Sequence, residues 1–328
     1  MRAVRTLALL VVFAVLGAVG YGYYMIFGDR SHPSAPVSVV VPRGATFRDV
    51  AQQLAQAGVV ANPAAFRAYA KWKHADTDVH AGEYRFTPHQ TPAQILDQLQ
   101  SGGAQIAKWL TIPEGYTAAQ IAQALQKDAL GNASAYQNAF LHDSIVAGGT
   151  RTRNLEGFLF PSTYLIPLDA NPAIVTRILT DQFIKELPPD AAQKARAHGL
   201  TVPQVVTIAS LVEREAKADD ERALIAGVIY NRLRLGMPLE VDATIEYALP
   251  THHSVITYAD LKIDSPYNTY LHTGLPPTPI ANPGLPSLVA AFNPRPSPYL
   301  YYVYKGNGHH VFAKTLQEQN ANVAKYLK

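Results

Sequence analysis

Cysteine is absent from this 328-residue chain. That removes disulfide frameworks, thiolate zinc sites, iron–sulfur centres and cysteine nucleophiles together. It leaves the compartment open, because a protein without disulfides survives on either side of a membrane. Charge is scarce as well: charged residues make up 16% of the chain, and 28 Lys+Arg against 25 Asp+Glu leave a net charge of +3. That balance is neither a disordered polyelectrolyte nor a basic face that grips nucleic acid, so no nucleic-acid partner is expected. There is no His-Glu-x-x-His pair, no Gly-x-Ser-x-Gly elbow and no Walker phosphate loop. The histidines of His252–His253 and His309–His310 are sequence neighbours, which on a strand point to opposite faces and offer one ligand per pair. No metal or other cofactor is expected.

What is abundant is apolar surface, at 48% of residues. With about 150 residues per domain as a prior, the chain has length and core material for two domains. Part of that material is concentrated at the N-terminus. No charge occurs from Thr6 to Gly28, and Leu7 to Phe27 is almost continuously apolar, matching the roughly 20 residues that span a bilayer as a helix. Ala18-Val19-Gly20 has the small residues of a signal cleavage site, but Tyr21, Tyr23, Tyr24, Met25, Ile26 and Phe27 carry the run past it. Arg2 and Arg5 precede the run, while Asp29 and Arg30 nearly cancel after it. The reading is therefore a single-pass anchor in the inner membrane over residues 1–30, with a cytoplasmic N-terminus and an exported body. A short linker, residues 31–36, contains His32-Pro33-Ser34-Ala35-Pro36.

The body expected after the linker is α+β. Val37 to Val41 reads as a strand, Pro42-Arg43-Gly44 as a turn, and Thr46-Phe47-Arg48-Asp49 as a capping box opening a helix with Val50 and Leu54 on its apolar face. The same pattern returns as Ile112-Pro113-Glu114-Gly115 followed by Thr117-Ala118-Ala119-Gln120. It returns more loosely as Tyr84-Arg85-Phe86 followed by Thr91-Pro92-Ala93-Gln94. Such units, with Gly44-Ala45-Thr46-Phe47 at the first turn, resemble the peptidoglycan-binding LysM fold. A LysM-like module is accordingly expected over 37–105, with a larger mixed α/β domain over 106–328. Residues 130–200 read as helical with breaks, and two helices are expected between Val202 and Leu235. Nine of the 24 prolines lie between Pro266 and Pro298, which excludes a central strand or a long helix there and makes an irregular, rigid wall. Tyr299 to Phe312 reads as a hairpin about Gly306-Asn307-Gly308, and Thr315 caps a last helix ending at Leu327.

Two features carry chemistry. Glu213 and Glu215 close the apolar run Ile208-Ala209-Ser210-Leu211-Val212, where acids are unusual unless a helix is leaving a core or the acid is functional. Residues two apart point about 200° from each other, so they cannot form one dyad. One can face a cleft while the other pairs with a cation such as Arg222, and periodicity does not choose between them. An acidic, solvent-facing helix end is the simpler account of the spacing by itself. The second feature is a set of polar groups on irregular backbone: Asn231, Glu240, Asp242, Thr244, Tyr267, Asn268, Thr269, Tyr270 and Asn282. They suit a sugar groove, where hydroxyls need hydrogen bonds and ring faces need aromatics; they equally suit turn capping and packing.

These residues also carry a resemblance. Ile208 to Glu215, Glu221-Arg222, Val228-Ile229-Tyr230-Asn231-Arg232-Leu233, Gly236-Met237-Pro238-Leu239, Tyr267-Asn268-Thr269-Tyr270, Gly274-Leu275-Pro276-Pro277 and Asn282-Pro283-Gly284 resemble, in order, the motifs of the YceG-like family. These are membrane-anchored endolytic murein transglycosylases. The resemblance implies non-hydrolytic cleavage between N-acetylmuramic acid and N-acetylglucosamine within glycan strands, leaving 1,6-anhydro ends. The muramyl 6-hydroxyl is then the nucleophile, so one carboxyl suffices where a hydrolase needs two. By motif position it implies Glu213 as the catalytic acid/base, with Asn231, Glu240, Asp242, Tyr267, Asn268, Thr269 and Glu156 binding substrate. Glycan strands are the implied partner, with glycan synthases of the same membrane as a further one. Three positions depart from the pattern: Ser162 where Asp is common, Glu240 where Gln is common, and His309 where Gly is frequent. A non-catalytic glycan-binding scaffold and a hydrolytic muramidase are the alternatives.

Overall fold

A computed structural model describes residues 35–42, 44–101, 107–168, 170–249 and 256–327, together with seven helical positions between Val12 and Tyr24. No helix among the described residues is long and apolar enough to cross a membrane. The anchor expected over residues 1–30 lies largely outside the described residues, as do most of the linker and the pair His252–His253. The rest of the chain divides into two units. One takes residues to Trp109 together with Leu165–Asp169; the other takes Leu110–Tyr164 and Ala170–Lys328.

In the first unit, β1 (Val37–Val41) pairs antiparallel with β2 (Gly82–Phe86), and Val39 stands opposite Tyr84. Side chains alternate as a half-buried sheet requires: Val39, Val41, Tyr84 and Phe86 are buried and Val40 is exposed. Helices α1 (Phe47–Gln56), α2 (Pro63–Trp72) and α3 (Pro92–Ser101) supply Val50, Leu54, Phe66, Ile95, Leu96 and Leu99 to the same core. The expected capping box is formed at Thr46 and Asp49.

The recurrence read from the sequence is structural. After β3 (Ala107–Thr111), Thr117 and Gln120 make the second capping box at the start of α4 (Ala118–Lys127). Gly44 and Gly115, at equivalent turns, both have φ +76°, a left-handed conformation that glycine adopts without the Cβ clash. At the third copy, Thr91 and Gln94 bond reciprocally before α3.

The second unit continues with α5 (Ala133–His142), β4 (Ser144–Ala147), β5 (Thr150–Arg153), β6 (Thr163–Pro167, shared with the first unit), α6 (Pro172–Glu186) and α7 (Ala191–Ala197). The β4–β5 hairpin interrupts the stretch expected to be mainly helical. Its turn is Gly148-Gly149, both at positive φ, and the Gly-Gly pair was the available hairpin signal. Next come α8 (Val202–Glu215) and α9 (Arg222–Leu235), the two expected helices, with Gly236 ending the second in the left-handed conformation. They are followed by α10 (Asp242–Ala248), α11 (Leu285–Phe292), the hairpin β7 (Tyr301–Gly306) and β8 (His309–Ala313), and α12 (Leu316–Tyr326).

Helix α8 is the axis of this unit. Val205 to Val212 are all buried, so it is apolar on every side and must be surrounded. Helices α7, α9, α10 and α11 do so, giving a core of Val205, Ile208, Leu211, Ile225, Ile229, Leu288 and Phe292. The proline-rich stretch forms no strand and one eight-residue helix, α11. Not all the polar groups expected on irregular backbone are there: Asn231 sits within α9, and Asp242 and Thr244 begin α10.

The N-terminus of α8 is closed by a Thr201–Gln204 capping box. Thr201→Ala is expected to lower stability by about 1 kcal/mol, read as a lower urea midpoint with an unchanged slope.

Candidate active site

The carboxylates at the end of α8 leave the core on different sides and meet different partners. The Glu213 side chain is 7% exposed. Its Oε2 accepts the Gly284 backbone N–H at 3.0 Å and an Arg222 guanidinium N–H at 3.4 Å. Arg222, at the start of α9, also donates to Asp219 at 2.9 Å and to the buried Ser287 hydroxyl of α11 at 2.5 Å. The Glu114 carboxyl lies directly over the Gly284 Cα, where a Cβ would collide with it. Partial burial, and after it the neighbouring Glu213, push the Glu114 carboxyl above its ordinary range. Glu213 is thus an acceptor in a bonded cluster that joins α8, α9 and α11.

Glu215 turns toward a cleft of about 920 Å³, lined with it by Glu240, Asp242, Glu246, Tyr270 and Tyr302 among others. Glu213 is not among the cleft's lining residues. Burial pushes the Glu215 carboxyl up to about 7. The Tyr302 hydroxyl, donating to its Oε2 at 3.1 Å, and Lys217 oppose that rise, while Asp242 and Glu246 add to it. A carboxyl with that titration keeps its proton to near neutrality and can return to it, which is what a general acid that later acts as a base requires.

The cleft wall is built around Arg232. This buried α9 side chain donates to the carbonyls of Leu300, Pro238 and Leu239 and to the Glu240 carboxylate at 2.8 Å. Its guanidinium also lies 4.9 Å from the Tyr301 ring centroid. Glu240 itself sits at φ +52°, a conformation uncommon for a non-glycine residue. Asp242 accepts the Tyr270 hydroxyl.

Of the residues expected to bind substrate, Glu240 and Asp242 reach this cleft. The other five make internal bonds. Glu156 is 3% exposed and accepts from the Ala118 N–H at the first position of α4, from the Asn282 amide and from the Tyr247 hydroxyl. Burial pushes its carboxyl up to about 7 against those bonds. Asn231 ties α9 to the carbonyls of Ser297 and Tyr299. Asn268 holds the carbonyls of Leu261 and Ile263, and Thr269 accepts from Val241 N–H. The Tyr267 hydroxyl pairs with Thr278.

Sequence reasoning passed over Tyr302 and Arg232 as site residues. Arg232 stands in a motif quoted for its family resemblance; Tyr302 has no local signal. Arg222, expected as a partner for one of the two acids, pairs with Glu213.

The YceG-like family profile matches residues 39–325. The endolytic murein transglycosylase of Bacillus subtilis is 33% identical over 330 residues, covering 95% of this chain and 90% of its own. That of Streptococcus pneumoniae D39 is 33% identical over 359 residues; the match covers 98% of this chain and 65% of the longer pneumococcal protein. A crystal structure of a YceG-like protein from Listeria monocytogenes superposes with a TM-score of 0.60 at 31% identity, covering 88% of this chain and 99% of that one.

Glu156→Ala is expected to strip acceptors from the Ala118 N–H and the Asn282 amide and to cost about 2–3 kcal/mol, measured by urea unfolding. If this residue acts through the loops it ties rather than on a ligand, the folded variant keeps the parental affinity for glycan in a sedimentation assay.

Proposed function

The chain belongs to the YceG-like family, and we propose that it is an endolytic murein transglycosylase in which Glu215 is the single general acid/base. The observation that carries the assignment is a half-buried carboxyl, pushed up to about 7, on the wall of a large polar and aromatic cleft. Protonated Glu215 gives its proton to the oxygen linking N-acetylmuramic acid to N-acetylglucosamine as the bond to the muramyl anomeric carbon breaks. The resulting carboxylate then takes the proton of the muramyl 6-hydroxyl as that oxygen closes on the same carbon, forming the 1,6-anhydro end. The catalyst finishes as it began, and no water is consumed.

Motif position carried this role to Glu213. The geometry supports Glu215 better, because Glu213 already accepts from Arg222 and Gly284 and its loss would break a structural cluster. Glu213 is read as the organiser of the helix ends behind the cleft, with Glu240, Asp242 and Tyr270 as sugar-contacting groups. A hydrolytic muramidase is the second reading. Asp242, on the same cleft, would be its second carboxylate, and its products would carry reducing muramic ends.

The remaining organisation is proposed on the same footing. The apolar run before Gly28 anchors the protein in the inner membrane with the catalytic unit outside. The separately cored strand–helix–helix–strand unit after residue 37 is a LysM-like module that holds glycan. An enzyme so placed meets strands as glycan synthases release them.

Purified glycan digested with Glu215→Gln and Glu213→Gln variants, with products resolved by mass spectrometry, separates the assignments. Glu215→Gln is expected to lower anhydro-muramyl production by about 10²–10⁴-fold; Glu213→Gln is expected to reduce stability and leave measurable turnover. The reverse pattern would put the chemistry on Glu213. Because the first step needs protonated Glu215, kcat/KM of the parent is expected to fall as pH rises through about 7.

A further inference from the structure

The carboxyl proposed to do the chemistry has a neighbour that the reaction scheme leaves unused. Tyr302, on β7, lines the same cleft and donates its hydroxyl proton to Glu215 Oε2. Burial, and then the charge of Glu215, push the tyrosine's own ionisation well above its ordinary value, so its hydroxyl keeps the proton it donates. A donor fixed on one carboxylate oxygen has two effects. It leaves Oε1 as the oxygen that carries the transferable proton, and it favours the carboxylate once that proton has gone.

The tyrosine ring is held from behind. His310, on the partner strand β8, meets it edge to face with centroids 5.5 Å apart and planes at 83°. Tyr304 packs on the same imidazole at 5.7 Å. His310 is 7% exposed. Its Nδ1 lies 2.9 Å from Glu221 Oε2, and its backbone N–H reaches both Glu221 oxygens at 3.0 Å. Burial would raise the Glu221 carboxyl, but the bonds from His310 outweigh it and hold the group below its ordinary range. Glu221 is therefore an acceptor, which assigns the imidazole proton to Nδ1. Glu221 sits at the start of α9, immediately before the Arg222 that pairs with Glu213.

We propose that Tyr302, held by His310 and Glu221, is a positioning residue that fixes which oxygen of Glu215 carries the reacting proton. This rests on the reading of Glu215 as the acid/base. Charged and titratable groups facing Glu215 are Asp242 and Glu246 from α10, Lys217 beyond the end of α8, and Tyr302 from β7; Tyr302 in turn faces Arg232 and Tyr270. A Tyr302→Phe change leaves all of these except the one hydroxyl.

The test compares the full-length parent with Tyr302→Phe, His310→Ala, the double variant, Glu221→Gln and Glu215→Gln, each assayed for anhydro-muramyl products across pH. Tyr302→Phe is expected to lower kcat about tenfold or more with little change in KM. The basic limb of its profile moves to higher pH, because Glu215 loses a bond to its charged form. His310→Ala lowers kcat in the same direction, and the double variant is no slower than Tyr302→Phe, since both act through one hydroxyl. Glu221→Gln gives a smaller loss with the same direction of shift. This variant carries the test if His310→Ala melts early by circular dichroism. Parental kcat and pH profile in Tyr302→Phe, or multiplicative losses in the double variant, overturn the proposal. If Glu215→Gln is inactive while Tyr302→Phe matches the parent, only the positioning role falls. If Glu215→Gln turns over at the parental rate, the acid/base reading falls and this one with it.

Discussion

The structure of the second unit follows from one constraint: a helix buried on every side has to end in two carboxylates. Along Val205 to Val212 the polar side chains are Thr207 and Ser210, whose hydroxyls bond back to α8 carbonyls, the Ser210 oxygen also accepting the Ile280 N–H. When the chain reaches Glu213 and Glu215, each acid needs its own route out of the low-dielectric interior. Helical geometry sends them about 200° apart. Two environments must therefore be built, and most of the surrounding loops serve one or the other.

On the Glu213 side the solution is a cation and a backbone donor, which bind α9 and the start of α11 to the end of α8. Behind it, Asn282 joins three distant segments. Its side-chain oxygen accepts from Leu159 N–H, its amide donates to Tyr116 and Glu156, and its backbone bonds both Gly115 and Tyr116. Glu156 completes the same junction at the N-terminus of α4. On the Glu215 side no cation among the described residues is in hydrogen-bond contact; a tyrosine hydroxyl and an open cleft face it instead. That difference separates a carboxylate held as part of the architecture from a carboxyl able to exchange its proton near neutrality.

Features that depend on neighbours within a few residues were legible early. The repeated strand–turn–capped-helix pattern, both helices between Val202 and Leu235, the Asn307-Gly308 hairpin and the final capped helix all follow from local chemistry of caps, turns and periodicity. The short β4–β5 hairpin has little local signal beyond Gly148-Gly149: each strand is four residues long, Ser-Ile-Val-Ala reads equally as part of a helix, and Thr-Arg-Thr-Arg has no apolar face. For Asn231, Asn268 and Thr269 the internal bonds were not legible, because nothing in sequence distinguishes an amide or hydroxyl facing a groove from one facing the backbone.

The sequence by itself determined that Glu213 and Glu215 close an apolar helical run and cannot act as a pair, since helical pitch alone decides the latter. Which of them meets a cleft was decided by tertiary structure. The groups that differentiate them, Arg222 and Gly284 for one and Tyr302 and Asp242 for the other, come from separate elements. Their distances and desolvation exist only once those elements pack. Proton affinity is a property of that packing, and no spacing along the chain encodes it.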